Sequence, residues 1–361
     1  MMHSFHVKNF RGFRDLKIEN LKRVNLIAGM NNVGKTALLE AVFLHLGPDN
    51  PELGLRINVM RGIEQFKMDL EEAWGNLFHN FDTNDAIELS SLDEKGHSRK
   101  LTISLSAQES QRLLSASRNG KSKLPRTMGS VTTAGNDIEL RMQYQDRKGK
   151  PYLTRLFVVD DGTRRSFQVK REHHVVPIPG VLLTTRARFL REDAERFSKL
   201  EATGRGGQLL SVLQLLEVRL SKLALLVAGT EPAIHGDVGV GRLLPLPLLG
   251  EGIARLLSIV LAIANTPNGV VLIDEIETGF HHTVLKNVWT AIGQAASQSN
   301  TQIIATTHNR ECIQAAHDAF AEMEAYDFAL HRLDRIGEDI EAVSYDKESL
   351  AAAMRAELEV R

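Results

Sequence analysis

The segment Gly29-Met30-Asn31-Asn32-Val33-Gly34-Lys35-Thr36 constrains this chain more than any other. It fits G-x-x-x-x-G-K-[ST], a spacing in which glycines let the backbone curl so that its N–H groups point inward at phosphates. The apolar stretch "RVNLIAG" precedes it and reads as a deeply buried strand. A helix is expected from Lys35, with Leu38, Leu39, Val42 and Phe43 on one face. Its positive dipole end adds to the phosphate cradle. The cradle spans Gly29, Asn31, Asn32, Val33, Gly34, Lys35, Thr36 and Ala37. Lys35 is placed to reach the β- and γ-phosphates and Thr36 to ligate Mg²⁺.

Three further segments carry chemistry. In "GVVLIDEIE", four apolar residues lead to Asp274 and Glu275 at a strand end. Such an aspartate can hold Mg²⁺, and the adjacent glutamate can polarise an attacking water. Glu277 leaves a structural and a catalytic role equally open. "QIIATTHNREC" is an apolar strand ending in Thr306, Thr307 and His308, where a histidine can sense a γ-phosphate. "LLGEGIARLLSIVLAIAN" opens a helix with Gly250 and Gly252, a second anion-friendly helix start. The first nucleotide site has no need of it, so it is read as serving a nucleotide on another copy of the chain.

The remaining pattern divides the chain. Residues 1–85 read as three strands and a helix, an N-terminal lobe. Residues 86–180 carry short alternating strands between turn residues, as an antiparallel β insert would. Residues 181–230 read as a helical subdomain, in which "LLSVLQLLEVRLSKLALLVA" shows leucines at helical spacing. A Gly/Pro-rich connection runs from Gly229 to Gly252. Residues 231–361 alternate helix and strand. The expected fold class is α/β, one discontinuous domain with a mixed central sheet.

Composition narrows the function classes. The net charge is −1 over 361 residues, so any DNA contact must come from a local basic patch. Arg118, Lys121, Lys123 and Arg126 form one, within a stretch read as an exposed loop. Arg186, Arg188 and Arg191 form another, offset by Glu192, Asp193 and Glu195. The single cysteine, Cys312, excludes an intrachain disulfide and fits a cytoplasmic setting. No apolar run approaches the roughly 20 residues that span a bilayer. His173-His174 and His281-His282 are expected on opposite faces of strands, which disfavours metal binding by either pair.

Taken in order, "NFRGF" (Asn9 to Phe13), the cradle, "GEGIAR" (Gly250 to Arg255), "DEIETGFHH" (Asp274 to His282) and "ATTHNREC" (Ala305 to Cys312) resemble the RecF/SMC-type branch of ABC ATPases. The set looks most similar to the ATPase part of the overcoming-lysogenization-defect (OLD) family, in a stand-alone form without the nuclease domain. The resemblance implies an ABC-type ATPase head with ATP and Mg²⁺ as cofactors. Thr36 and Asp274 would hold the metal, and Glu275, His308 and Lys35 would be catalytic. It implies a head-to-tail dimer or higher homo-oligomer in which Gly250 and Gly252 contact the partner's ATP. The sequence departs from the family pattern at Leu249 and Glu251, where a serine and a glycine are usual. It departs again at His281, where many relatives keep an aspartate. Gln65 is the candidate for the glutamine that normally follows the first helix.

Two functions follow. One is an ATPase whose dimerisation controls a separate effector, such as a nuclease, in DNA maintenance or anti-phage defence. The other is an ATP-gated DNA-binding clamp with negligible turnover. A GTPase is disfavoured, because the chain lacks the N/T-K-x-D that would read guanine.

Overall fold

The computed structural model describes residues 1–63, 69–107, 138–160, 165–185, 190–228 and 231–361. Gln65, the basic stretch from Arg118 to Arg126, and Arg186 and Arg188 lie outside the described residues.

The first two strands, β1 (Met2–Phe10) and β2 (Phe13–Ile18), form a hairpin. They continue into β4 (Ile87–Asp93), β5 (Ser98–Ala107), β6 (Ile138–Gln145), β7 (Pro151–Asp160) and β8 (Arg165–Arg171). Together these make a seven-stranded antiparallel sheet in the order β2-β1-β4-β5-β6-β7-β8. The alternating strands expected between residues 86 and 180 are therefore present, and β4 pairs directly with β1.

The second sheet has six strands in the order β16-β15-β3-β14-β13-β9. These are β3 (Val24–Gly29), β9 (Gly180–Leu183), β13 (Val270–Ile273), β14 (Gln302–Thr306), β15 (Phe328–Ile336) and β16 (Asp339–Tyr345). The first five run parallel and β16 is antiparallel. Every residue of β3, β13 and β14 is buried. That is the pattern of parallel strands covered on both faces.

Helix α1 (Lys35–Leu46) lies between the two sheets, touching β1 and β4 on one side and β3, β9, β13 and β14 on the other. The sequence pattern suggested one apolar face. Instead every residue from Ala37 to Leu46 is buried, Glu40 and His45 included, because the helix is covered from both sides. Helices α2 (Glu52–Met60) and α3 (Leu70–Trp74) follow it, and the Trp74 ring lies against Gly54 of α2. Beyond α4 (Leu190–Ala202) and α5 (Gly206–Leu213), α6 (Glu251–Ala264), α7 (Leu285–Ser299) and α8 (Arg310–Ala321) cover the far face of the parallel sheet. Helix α9 (Lys347–Arg355) closes the described chain.

One helical expectation fails. The leucine-rich run does not stay helical to Ala228. It leaves the helix at Leu213, and Lys222–Ala228 forms β10, paired antiparallel with β11 (Glu231–Asp237). The supposed Gly/Pro-rich connection thus contains a strand and the short β12 (Leu244–Pro245). After Lys222 the segment is wholly apolar, which suits either period, and pairing with β11 decides between them.

Candidate nucleotide site

The site gathers at the C-terminal ends of β3, β13 and β14, where parallel strands run out and their loops converge. Gly29 and Gly34 adopt φ values of +143° and +107°. A Cβ on Gly29 would lie 2.7 Å from the Leu333 carbonyl oxygen, and one on Gly34 would lie 2.7 Å from Phe13 Cζ. Conformation and space both demand glycine at these two positions. Val33 is buried and anchors the loop, while Met30, Asn31 and Asn32 face out. Lys35 Nζ donates to Gly29 O at 2.7 Å and Met30 O at 2.9 Å, which places its ammonium on the loop. Partial burial pulls the Lys35 pKa below its ordinary value, and the charges of Glu277, Asp274 and Glu275 oppose that pull.

The acidic side is held by a hydroxyl. Thr306 Oγ1 donates to Asp274 Oδ1 at 2.7 Å and accepts from the Glu275 N–H at 2.8 Å. Thr36 Oγ1 donates to Asp274 at 3.0 Å (Oδ1) and 3.1 Å (Oδ2). The backbone is fixed as well, with Asp274 N–H donating to Leu183 O and Ile276 N–H to Thr306 O. Glu275 sits at φ +45°, a left-handed conformation that costs a non-glycine residue about 1–2 kcal/mol. Its neighbours over-determine that geometry. His308 lies two residues past the end of β14, and its N–H donates to Glu277 Oε1 at 3.1 Å.

The structure thus brings Lys35, Thr36, Asp274 and Glu275 to one crevice, with the loop of Glu277 and His308 beside it. Gly250, at φ +139°, precedes α6. A Cβ on Gly252 would stand 2.6 Å from Gly279 O, which gives this glycine an intrachain reason to be glycine. Arg255, one turn into α6, donates to the carbonyls of Asp274 (2.8 Å) and Thr184 (3.1 Å). His281 caps a short 3-10 helix that His282 begins, and their ring centroids are 4.2 Å apart, rather than on opposite faces of a strand.

Several contributors escaped the sequence reading. Glu40, buried one turn beyond Thr36, lies 2.8 Å from Arg11 Nε and accepts from Arg61 Nε at 2.6 Å. Burial draws the Arg11 pKa down to about 10 against the pull of Glu40. Phe13 lies against Gly34, so the "NFRGF" hairpin buttresses the cradle from behind. Arg335 of β15 reaches Asn32 O at 3.5 Å. Nothing in the spacing of these residues announces their contacts, which join positions far apart in the chain.

The arrangement fits a Mg²⁺-bound triphosphate. The Thr36 hydroxyl and Asp274 carboxylate are adjacent hard oxygen donors, as Mg²⁺ prefers.

Comparison with known proteins bears on the family and the fold. An ATP/GTP phosphatase of Helicobacter pylori is 22% identical over 334 residues, covering 90% of each chain. An uncharacterized protein of Methanocaldococcus jannaschii is 46% identical over 63 residues, which are 18% of this chain and 28% of that one. Among solved structures, an SMC head bound to the C-terminal winged-helix domain of ScpA superposes with a TM-score of 0.51 at 12% identity, over 98% of this chain and 99% of that one. The fold is thus that of an SMC head. Residues 24–312 match one protein family, and the chain belongs to it: the family described as "AAA domain, putative AbiEii toxin, Type IV TA system".

Proposed function

We propose that the protein hydrolyses ATP, pairs head-to-tail with a second copy around it, and uses that cycle to control a separate effector, such as a nuclease, in DNA maintenance or anti-phage defence. The observation that carries this reading is the hydroxyl–carboxylate pair of Thr36 and Asp274 beside Lys35, with Glu275 next in the chain. The ordered motifs shared with the ATPase part of the OLD family support the same reading, as does the family's AAA domain.

In this proposal the backbone N–H groups from Asn31 to Ala37 and the Lys35 ammonium bind the phosphates. Thr36 and Asp274 hold Mg²⁺, which draws charge from the phosphate oxygens when bound. Glu275 takes the proton of the attacking water. His308 would sense the terminal phosphate. Met30 in the cradle is 79% exposed and Leu248, two residues before Gly250, is 74% exposed. These are apolar side chains on the two elements that a head-to-tail sandwich presses together.

Glu275→Gln keeps the side-chain shape but removes the base. It is expected to slow phosphate release by about 10²- to 10⁴-fold and to accumulate an ATP-bound dimer on gel filtration. Phosphate release at the wild-type rate removes Glu275 from the chemistry. An identical elution volume with ATP and with ADP removes the sandwich.

A further inference from the structure

Glu277 is buried, 8% exposed, three residues past the proposed metal ligand Asp274. Its Oε1 accepts from the His308 backbone N–H at 3.1 Å and stands 3.3 Å from the Nδ1 atom of the same residue. Its Oε2 is buried and has no hydrogen-bond partner among the described residues. A buried carboxylate with an unmatched oxygen is expensive, and bonding to one peptide N–H does not require a charge. The charge acts on its surroundings. It is the largest of three carboxylate influences on the Lys35 ammonium, and it lies against one edge of the His308 ring. That ring is half-exposed and lines an open groove with His282, Lys286 and Arg310.

We propose that Glu277 is a positioning residue for His308, an inference that rests on the ATPase reading above. An ionised carboxylate can only accept, so the ring nitrogen beside it carries the proton. The neutral ring is thereby held as the Nδ1–H tautomer. Nε2, on the opposite edge, is left as an acceptor. An acceptor suits a hydrogen of the attacking water and not a phosphate oxygen. The arrangement follows the general logic by which a carboxylate behind a histidine sets its tautomer and orientation.

Long-range ¹H–¹⁵N spectra of the histidine rings at pH 8 test this without any nucleotide, with the His308 signals identified by their loss in His308→Ala. Wild type is expected to show Nδ1–H. Glu277→Leu removes the acceptor beside Nδ1 and is expected to move the ring toward Nε2–H, whereas Glu277→Gln keeps an oxygen there and is expected to keep Nδ1–H. A wild-type ring protonated on Nε2, or an unchanged tautomer in Glu277→Leu, overturns the proposal. In hydrolysis assays Glu277→Leu is expected to lower kcat by about 10- to 100-fold and to change KM less. In a His308→Ala background the same change is expected to cost much less, the remainder being its influence on Lys35. An equal loss in both backgrounds overturns the proposal. Failure of the ATPase reading itself shows differently, as wild-type protein that binds ATP and releases no phosphate.

Discussion

The two large sheets enclose the same helix, α1, but their strands are built on different patterns. In the parallel sheet β3, β13 and β14 are buried at every position. In the antiparallel sheet β4 reads buried, intermediate, buried, intermediate along its length, as a strand with one wetter face does. A strand buried on both faces has no position at mid-length for a reactive group. Chemistry is displaced to the loops where the ladder ends, which is where Gly29, Asp274, Glu275 and His308 stand. The antiparallel sheet contributes support. Its β1–β2 hairpin sets Arg11 against Glu40 of α1 and Phe13 against Gly34. One sheet carries the reactive ends and the other fixes the helix behind them.

That division can be broken at either sheet. The largest effect is expected at Lys35. Lys35→Ala removes a charge-assisted contact in a partly desolvated site, weakening ATP binding by about 2–5 kcal/mol and abolishing turnover. The melting temperature is expected to stay near the wild-type value, since among the described residues the Lys35 ammonium donates to Gly29 O and Met30 O of its own loop. Calorimetric titration showing wild-type ATP affinity defeats the cradle assignment.

On the supporting side, Glu40→Ala leaves two guanidinium groups beside a buried gap. The expected loss is about 3–5 kcal/mol of folding stability, read from the denaturant midpoint. An unchanged midpoint means that the hairpin does not fix α1.

The smallest effect per residue sharpens the comparison, because one buried neutral histidine packs against the antiparallel sheet and another lies in the parallel one. His45 of α1 meets Ser91 of the antiparallel sheet at 2.9 Å, and burial lowers its pKa to about 3. His331 of β15 bonds Ser344 at 2.8 Å, and burial lowers its pKa to about 4. Both bind protons in the unfolded chain below about pH 6.5 and resist them when folded. The unfolded state therefore holds more protons, and stability falls as pH drops from about 6.5 toward 4. Each histidine contributes roughly 1.4 kcal/mol per pH unit in that window. Denaturation midpoints at pH 7, 6 and 5 are expected to show the slope. His45→Gln and His331→Gln are each expected to remove about half of it. A flat profile in wild type would mean that both rings protonate without unfolding.

Much of the reactive sheet was legible in the sequence, and for a physical reason. A phosphate loop needs particular backbone angles and a fixed lysine, so Gly29, Gly34 and Lys35 signal themselves within eight residues. Asp274 and Glu275 end an unbroken apolar run, which marks the end of a buried strand. The supporting contacts were not legible, because Glu40, Arg11 and Arg61 come from three elements and share no local spacing. Glu277 stayed ambiguous for the same reason, since its partner His308 lies on another strand end. The run ending at Ala228 misled because its last six residues are all apolar and suit a helix or a strand alike. Only the neighbouring strand Glu231–Asp237 resolves that conflict. At Gly252 the sequence suggested one cause for glycine and the fold supplies another, the close approach of Gly279.

That approach also limits how the two loops can change. A methyl group on Gly252 would press within 2.6 Å of Gly279 O, and one on Gly279 would come 2.8 Å from Glu251 Cγ. The backbone carbonyl leaves Gly252 no room for a side chain unless the turn at Gly279 withdraws, whereas at Gly279 the left-handed backbone, φ +85°, and the Glu251 side chain oppose one. A change at the helix start is therefore felt first in the turn after the acidic strand, almost thirty residues away.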